Sequence, residues 1–197
     1  MSVAAAIVET YQDRGCERSA YPPIVASGPN AIVLHYTKNR RRMEAGELLL
    51  MDAGAECAAY AADITRTIPL GGRFTARQRE IYDIVLGAEK AAIAAVRPGT
   101  TIAALTKAGL EYVNTHGKDR QGAPLGQYYI HGISHHVGLE VHGNLLFKKN
   151  RGTRRHPPIE SYCTFTARSL YVSVIPVALS KVVPGLKVWV LSVATST

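Results

Sequence analysis

Residues 47–72 read ELLLMDAGAECAAYAADITRTIPLGG, and the reading of this stretch sets the fold. Residues 48–53 and 58–69 are each rich in apolar and β-branched side chains, which predicts two strands, with the small-residue run AGAECAA between them as the turn. Two neighbouring strands with so short a connection pair most simply as an antiparallel hairpin. Asp52 and Asp63 stand inside these apolar runs. A carboxylate among apolar strand residues carries a large desolvation cost unless it is paired or bound to a cation. On paired strands both could face one cleft. Equally, DAG and DIT each suit an acid that only caps a turn.

Working outward, VAAAIVETYQDRG reads as a helix that starts after Ser2 as N-cap and stops at Gly15. Pro22, Pro23, Gly28 and Pro29 then punctuate two short β-rich runs, 24–26 and 31–35, the second ending in His35. Downstream, Thr75 and Gln78 form a capping-box pattern. Ile81, Ile84, Val85, Ala88, Ala92 and Ala95 follow at helical spacing until the RPG at 97–99. A further helix is expected from Thr101, with Ile102, Leu105, Gly109, Tyr112 and Val113 on one face and Gly117 as its stop. The class is α+β without internal repeats.

Residues 128–143, YYIHGISHHVGLEVHG, hold four of the seven histidines among glycines and read as strand or loop. A single such histidine is more often a satisfied core or surface residue than a ligand. Four in one short window, together with two embedded aspartates, point toward a cation site. Neutral imidazole with carboxylate suits Mn, Fe, Co or Zn. Two carboxylates and one imidazole are nevertheless too few for a complete two-metal site, which needs bridging oxygens.

Composition bounds the remaining classes. Hydrophobic residues make up 47% and charged residues 19%, which places the chain among globular proteins. The opening segment lacks a signal-peptide pattern, since Glu9 and Asp13 interrupt it. Pro176, Lys181, Pro184 and Lys187 break the longest apolar tract, so no spanning helix is expected. Cys16, Cys57 and Cys163 lack CxxC spacing and are expected to be free thiols in a reducing compartment, hence a cytoplasmic protein. The net charge of +8 sits mainly in residues 144–197, which carry 8 Lys+Arg against one acid, Glu160. That tail shows no nucleic-acid-binding motif, so neither a nucleic-acid nor a membrane partner is expected.

The segments VLHYTKN, LLLMDAGAECAAYAADITRTIPLGGRFTARQREIYDIVL and HGISHHVGLEVH resemble, in order and spacing, the catalytic domain of aminopeptidase P. These are the Xaa-Pro aminopeptidases of the pita-bread metallopeptidases, and the likeness runs from about Tyr21 to His142. It implies a creatinase/aminopeptidase-like pita-bread domain and a dinuclear, usually manganese, centre. Asp52 and His135 would each bind one ion and Asp63 would bridge both. His35 and His142 would line the substrate pocket and His131 would sit on the proline side. Peptides with proline in second position would be cleaved before that proline by a metal-bridging hydroxide.

The resemblance also implies two glutamates downstream of the last histidine, in EPG and IED motifs, and the sequence contains neither. The catalytic domain is therefore expected to be incomplete at its C-terminus, to hold one ion weakly, and to have little or no activity. Residues 1–143 are expected to form the pita-bread part. Residues 144–197 are expected to be an atypical basic tail, poorly ordered, with the composition of out-of-frame translation. Three other readings stay open. One is a non-catalytic pita-bread module that binds peptides or partners. Another is a creatinase-like hydrolase of a non-peptide C–N bond, and the weakest is a nucleic-acid-binding tail.

Overall fold

The computed structural model describes residues 2–97 and 100–142, with four short strands between residues 170 and 193. The chain begins with α1 (Val3–Asp13), capped as expected by the Ser2 hydroxyl, which accepts from the Ala5 N–H at 3.2 Å. Then come β1 (Arg18–Ser19), β2 (Ile24–Ser27), β3 (Leu48–Ala53), β4 (Ala55–Cys57), β5 (Tyr60–Ala61) and β6 (Ile64–Pro69). Two helices follow, α2 (Ala76–Ala94) and α3 (Ile102–His116), before the histidine-bearing β7 (His135–His136). Beyond residue 142 the described backbone consists of β8 (Leu170–Val172), β9 (Val177–Ala178), β10 (Lys187–Val188) and β11 (Ser192–Val193). The rest of the expected basic tail, including Glu160 and Cys163, lies outside the described residues.

The organising element is β3. It pairs antiparallel with β2 on one side and β6 on the other, and the second register sets Asp52 opposite Thr65. The expected antiparallel return is therefore present. Leu48, Leu49 and Leu50 are all buried, as befits a central strand covered on both faces. Leu48 belongs to one buried apolar cluster with Ile81, Val85, Ala88 and Ala92 of α2 and Leu105 and Val113 of α3. The capping box is complete: the Thr75 hydroxyl accepts from the Gln78 N–H while Gln78 Oε1 accepts from the Thr75 N–H. Leu125 and Ile133 also enter this core, so the segment that leads into the histidines is seated on the helices.

Three expectations need correction. Residues 31–35 are not a strand: Gly28, at φ 52°, and Pro29 turn the chain into a 3-10 helix over Gly28–Ile32, and His35 sits on a left-handed turn at φ 53°. The run AGAECAA is not one turn. Its Ala55–Cys57 part forms β4, which pairs with β5 through a two-residue connection, Ala58–Ala59. Both alanines have positive φ, 51° and 66°, the geometry usually given to Asn-Gly. Lacking either residue, the sequence carried no signal for this hairpin. The Glu17 carboxylate holds it by accepting from the Ala58 N–H at 3.0 Å.

The third correction concerns the thiols. Cys16 and Cys57 form a disulfide, with Cα atoms 4.4 Å apart, instead of remaining free. They lie far apart in sequence and meet because β1 pairs with β4, Arg18 opposite Glu56. The pairing withdraws the support that free thiols gave to a reducing compartment. No helix among the described residues is long and apolar enough to cross a membrane.

Left-handed geometry costs an alanine roughly 1–2 kcal/mol that glycine does not bear. Ala59→Gly should therefore raise stability by roughly 1 kcal/mol despite the entropy that glycine adds to the unfolded chain. A urea-unfolding midpoint above that of the parent is the expected result, and a lower midpoint would contradict the strained-turn assignment.

Candidate metal centre

Asp52 is the next-to-last residue of β3, and Asp63 immediately precedes β6. What lets them meet is Gly54. A Cβ at this position would lie 1.8 Å from the Ala62 carbonyl oxygen, so only glycine permits the backbone beside Asp63 to come this close. Both acids are buried, at 7% and 8% exposure. Two like charges out of water are costly, and the structure shows what offsets the cost.

The Tyr21 hydroxyl stands between them, 2.5 Å from Asp52 Oδ1, to which it donates, and 2.9 Å from Asp63 Oδ1. One phenolic proton thus serves two carboxylates. Burial, then the two negative charges, push the Tyr21 pKa well above its usual range, so the hydroxyl keeps its proton. On the other side of Asp63, His135 Nε2 approaches Oδ2 at 3.2 Å. Thr65, fully buried opposite Asp52, also hydrogen-bonds it. The bond gives Thr65 a partner inside a strand of inverted pattern, in which Thr65 and Thr67 are buried while Ile64 and Ile68 are exposed.

The two acids diverge in protonation. Burial pushes Asp52 up to about 6, helped by the charge of Asp63 and opposed by the Tyr21 hydrogen bond. Burial also raises Asp63, but hydrogen bonds from His135 and Tyr21 outweigh it and leave this carboxyl below its ordinary value. A pair whose environments separate the two titrations is a mark of functional sites.

The histidines gather around the pair. The His135 and His142 rings meet edge to face, with centroids 4.5 Å apart. Burial lowers the His142 pKa, the charge of His135 lowers it further, and Asp63 opposes this; His35 and His131 also act on it. A cavity of about 490 Å3 opens onto the group, and Tyr21, Asp52, Asp63, His35 and His142 are on its wall. His131 is not on that wall; its Nδ1 lies 3.0 Å from the Gly132 carbonyl oxygen. Of the six residues singled out in the sequence, Asp52, Asp63 and His135 are linked directly or through Tyr21. His142 meets the His135 ring edge to face, His35 lines the same cavity, and His131 is off its wall. Tyr21 was missed, because a tyrosine before two prolines reads only as an extended turn.

Among the described residues, no three His, Cys, Asp or Glu side chains form a ready cation cage. The Tyr21 hydroxyl and the His135–Asp63 hydrogen bond occupy the interval between the donors. The donor chemistry itself, two carboxylates at a cavity wall and an imidazole against one of them, fits one borderline divalent cation.

The model of metallopeptidase family M24 matches residues 1–173. The chain belongs to metallopeptidase family M24. It is 43% identical over 143 residues to the Xaa-Pro aminopeptidase of Haemophilus influenzae, a match covering 66% of this chain and 33% of that one. It is similar in structure to proline aminopeptidase P II from Yersinia pestis, with a TM-score of 0.74 and 30% identity over 98% of this chain and 47% of that chain. Prolidase from Pyrococcus furiosus gives a TM-score of 0.74 and 30% identity over 99% and 52%. This M24 chain thus has the expected α+β pita-bread fold. It spans about a third of the length of that curated relative and about half of each solved structure.

The acid titrations give a pH prediction for the metal-free M24 chain. A carboxyl whose pKa is raised by folding retains its proton where the unfolded chain has lost it. Asp52 therefore removes stability as pH rises from 3.8 to about 6, and the loss persists above that window. Asp63, lowered, contributes stability above 3.8 that is lost as pH falls further. Asp52→Asn should leave the melting temperature nearly unchanged at pH 4 and raise it at pH 7.5, by a free energy on the order of 2–3 kcal/mol. A lower melting temperature at pH 7.5 would contradict the assignment.

Proposed function

We propose that this chain is a metal-dependent hydrolase of the Xaa-Pro aminopeptidase kind, acting on peptides with proline in second position. The single observation that carries the reading is that the Tyr21 hydroxyl joins Asp52 to Asp63 and His135 joins Asp63 from its other side, beside a cavity whose wall includes both acids. Asp52, Asp63 and His135 would hold a divalent cation, manganese by the family resemblance. Bound there, such an ion lowers the pKa of water and polarises a carbonyl.

The other roles fall to the chain's own imidazoles. His35 and His142 line the cavity and would donate to the scissile carbonyl oxygen as negative charge develops on it. The lowered pKa of His142 favours its neutral form, which has one N–H to give. His131, off the cavity wall, would face the proline side. Proline lacks the amide N–H that most peptidases bind, so recognition here has to rest on ring shape and on the carbonyl.

The sequence beyond His142 offers Glu160 as its only acid. The chain should therefore bind Mn2+ weakly, at one ion or fewer, and hydrolyse slowly. With added Mn2+, release of the N-terminal residue from an Xaa-Pro peptide should run at least about a hundredfold below that of an intact relative. Calorimetric Mn2+ binding should vanish in Asp63→Asn, because removal of a directly ligating charge leaves too few donors. Turnover equal to that of an intact relative would contradict the impaired-site claim. Unchanged Mn2+ binding in Asp63→Asn would contradict the site.

A second reading keeps the cavity without the chemistry: a pita-bread module that binds peptides. The cavity of about 490 Å3 together with the missing glutamates favours it. Peptide binding without turnover or metal would select this reading. We also propose a boundary at 143/144 between the pita-bread part and a basic tail from another reading frame, on the charge contrast of the two parts. Finding EPG and IED in another frame of the gene after codon 143 would establish it, and their absence from all frames would refute it.

A further inference from the structure

We propose that the Cys16–Cys57 disulfide is a reversible thiol–disulfide site, acted on by a dithiol reductant, whose opening loosens one wall of the cavity. The inference rests on the fold and not on the metal reading.

The connections run from the disulfide to the site in two short paths. Cys57 ends β4 and begins the strained Ala58–Ala59 turn, which the Glu17 carboxylate holds through the Ala58 N–H. Glu17 is anchored beside Cys16, and its own N–H donates to the Glu56 carbonyl at 3.1 Å. From this hairpin the first path leads to Asp63. The Ala62 N–H donates to the Ala55 carbonyl at 2.9 Å, and Ala62 directly precedes the acid. The second path leads to the histidines. The Ala61 N–H donates to the Gly138 carbonyl at 2.7 Å, and Gly138 begins the turn that carries Leu139 to His142. Arg18 and Glu56, ion-paired at 2.7 Å across β1 and β4, form part of the same wall.

Among the described residues, this hairpin has little else to hold it. β1, β4 and β5 are two or three residues long and contribute nothing to either buried apolar cluster. Two or three backbone pairs with two left-handed alanines do not make an independently stable unit. The disulfide is thus the strongest single tie between the hairpin and the end of α1. It is also accessible, since Cys57 is exposed and Cys16 half-buried.

The exchange balances. A thiolate of the dithiol attacks the exposed Cys57 sulfur, and Cys16 leaves as thiolate and takes up a proton. The second thiol of the reductant then displaces Cys57. Two electrons and two protons pass to the protein, giving two cysteine thiols, and the dithiol becomes a disulfide. Freed of the bond, the strained turn relaxes, and the backbone beside Asp63 and the turn before His142 lose their common support.

Hydrogen exchange followed by mass spectrometry tests this on the metal-free chain, oxidised and then treated with dithiothreitol, with peptide mapping of the bond in parallel. Reduction should speed amide exchange by tenfold or more in residues 55–63 and 138–142. The α2 and α3 amides should not change, and reoxidation should restore protection. Cys57→Ser should match the reduced parent and ignore the reductant, and Cys16→Ser should do the same should the first variant fold poorly. Three results would overturn the proposal. These are free Cys16 and Cys57 thiols in the oxidised protein, unchanged exchange on reduction, or faster exchange throughout the helical core. Loss of Mn2+ binding or of hydrolysis bears on the proposed function alone and leaves this inference standing.

Discussion

Two carboxylates that share one tyrosine hydroxyl, both out of water, are the constraint around which the rest of the chain is arranged. Asp52 and Asp63 would repel each other and each would lose its hydration. The structure answers with a proton from Tyr21 between them, the Thr65 hydroxyl on one acid and the His135 imidazole on the other. None of these partners comes from the same strand as the acid it serves. Domains are stable by only about 5–15 kcal/mol, so a buried like-charged pair is a substantial fraction of the total. A fold that retains the pair has to hold every partner in register.

That register comes from ordinary packing placed around the pair. Leucines 48–50 bury β3 centrally, and the Asp52–Thr65 alignment follows from its pairing with β6. The helices supply a core into which Ile133 is inserted, two residues before His135, so the imidazole is positioned by an apolar anchor next to it in sequence. Gly54 contributes the opposite, an absence of side chain where two backbones must touch. On the far side, the β4–β5 hairpin ties the acid strand to the histidine turn with few hydrogen bonds, and one disulfide fastens the hairpin to the end of α1. The site is therefore rigid where the core reaches it and covalently clasped where the core does not.

The parts of this that the sequence carried were those written in periodicity and caps. Ser2, the Thr75–Gln78 box, the α2 and α3 faces and the leucine run of β3 all announce themselves locally. The acids were legible because a charge in an apolar run is anomalous, and the histidines because they cluster. The 31–35 run reads as β by side-chain type, yet the backbone is set by Gly28 and Pro29 just before it. The Ala58–Ala59 turn had no turn residue to reveal it; a tertiary hydrogen bond from Glu17 holds it. The disulfide joins cysteines 41 residues apart, a pairing that depends on β1 meeting β4 and is not encoded in spacing. Tyr21 acts on acids 31 and 42 residues away, and nothing in its own neighbourhood marks it.

The most direct measurement is anomalous diffraction from crystals of the chain soaked in Mn2+, with data collected on both sides of the manganese absorption edge. The account predicts a manganese-specific peak within bonding reach of carboxylate oxygens from Asp52 and Asp63 and of the His135 imidazole. A peak located elsewhere, or none at a soak concentration that saturates an intact relative, would contradict it.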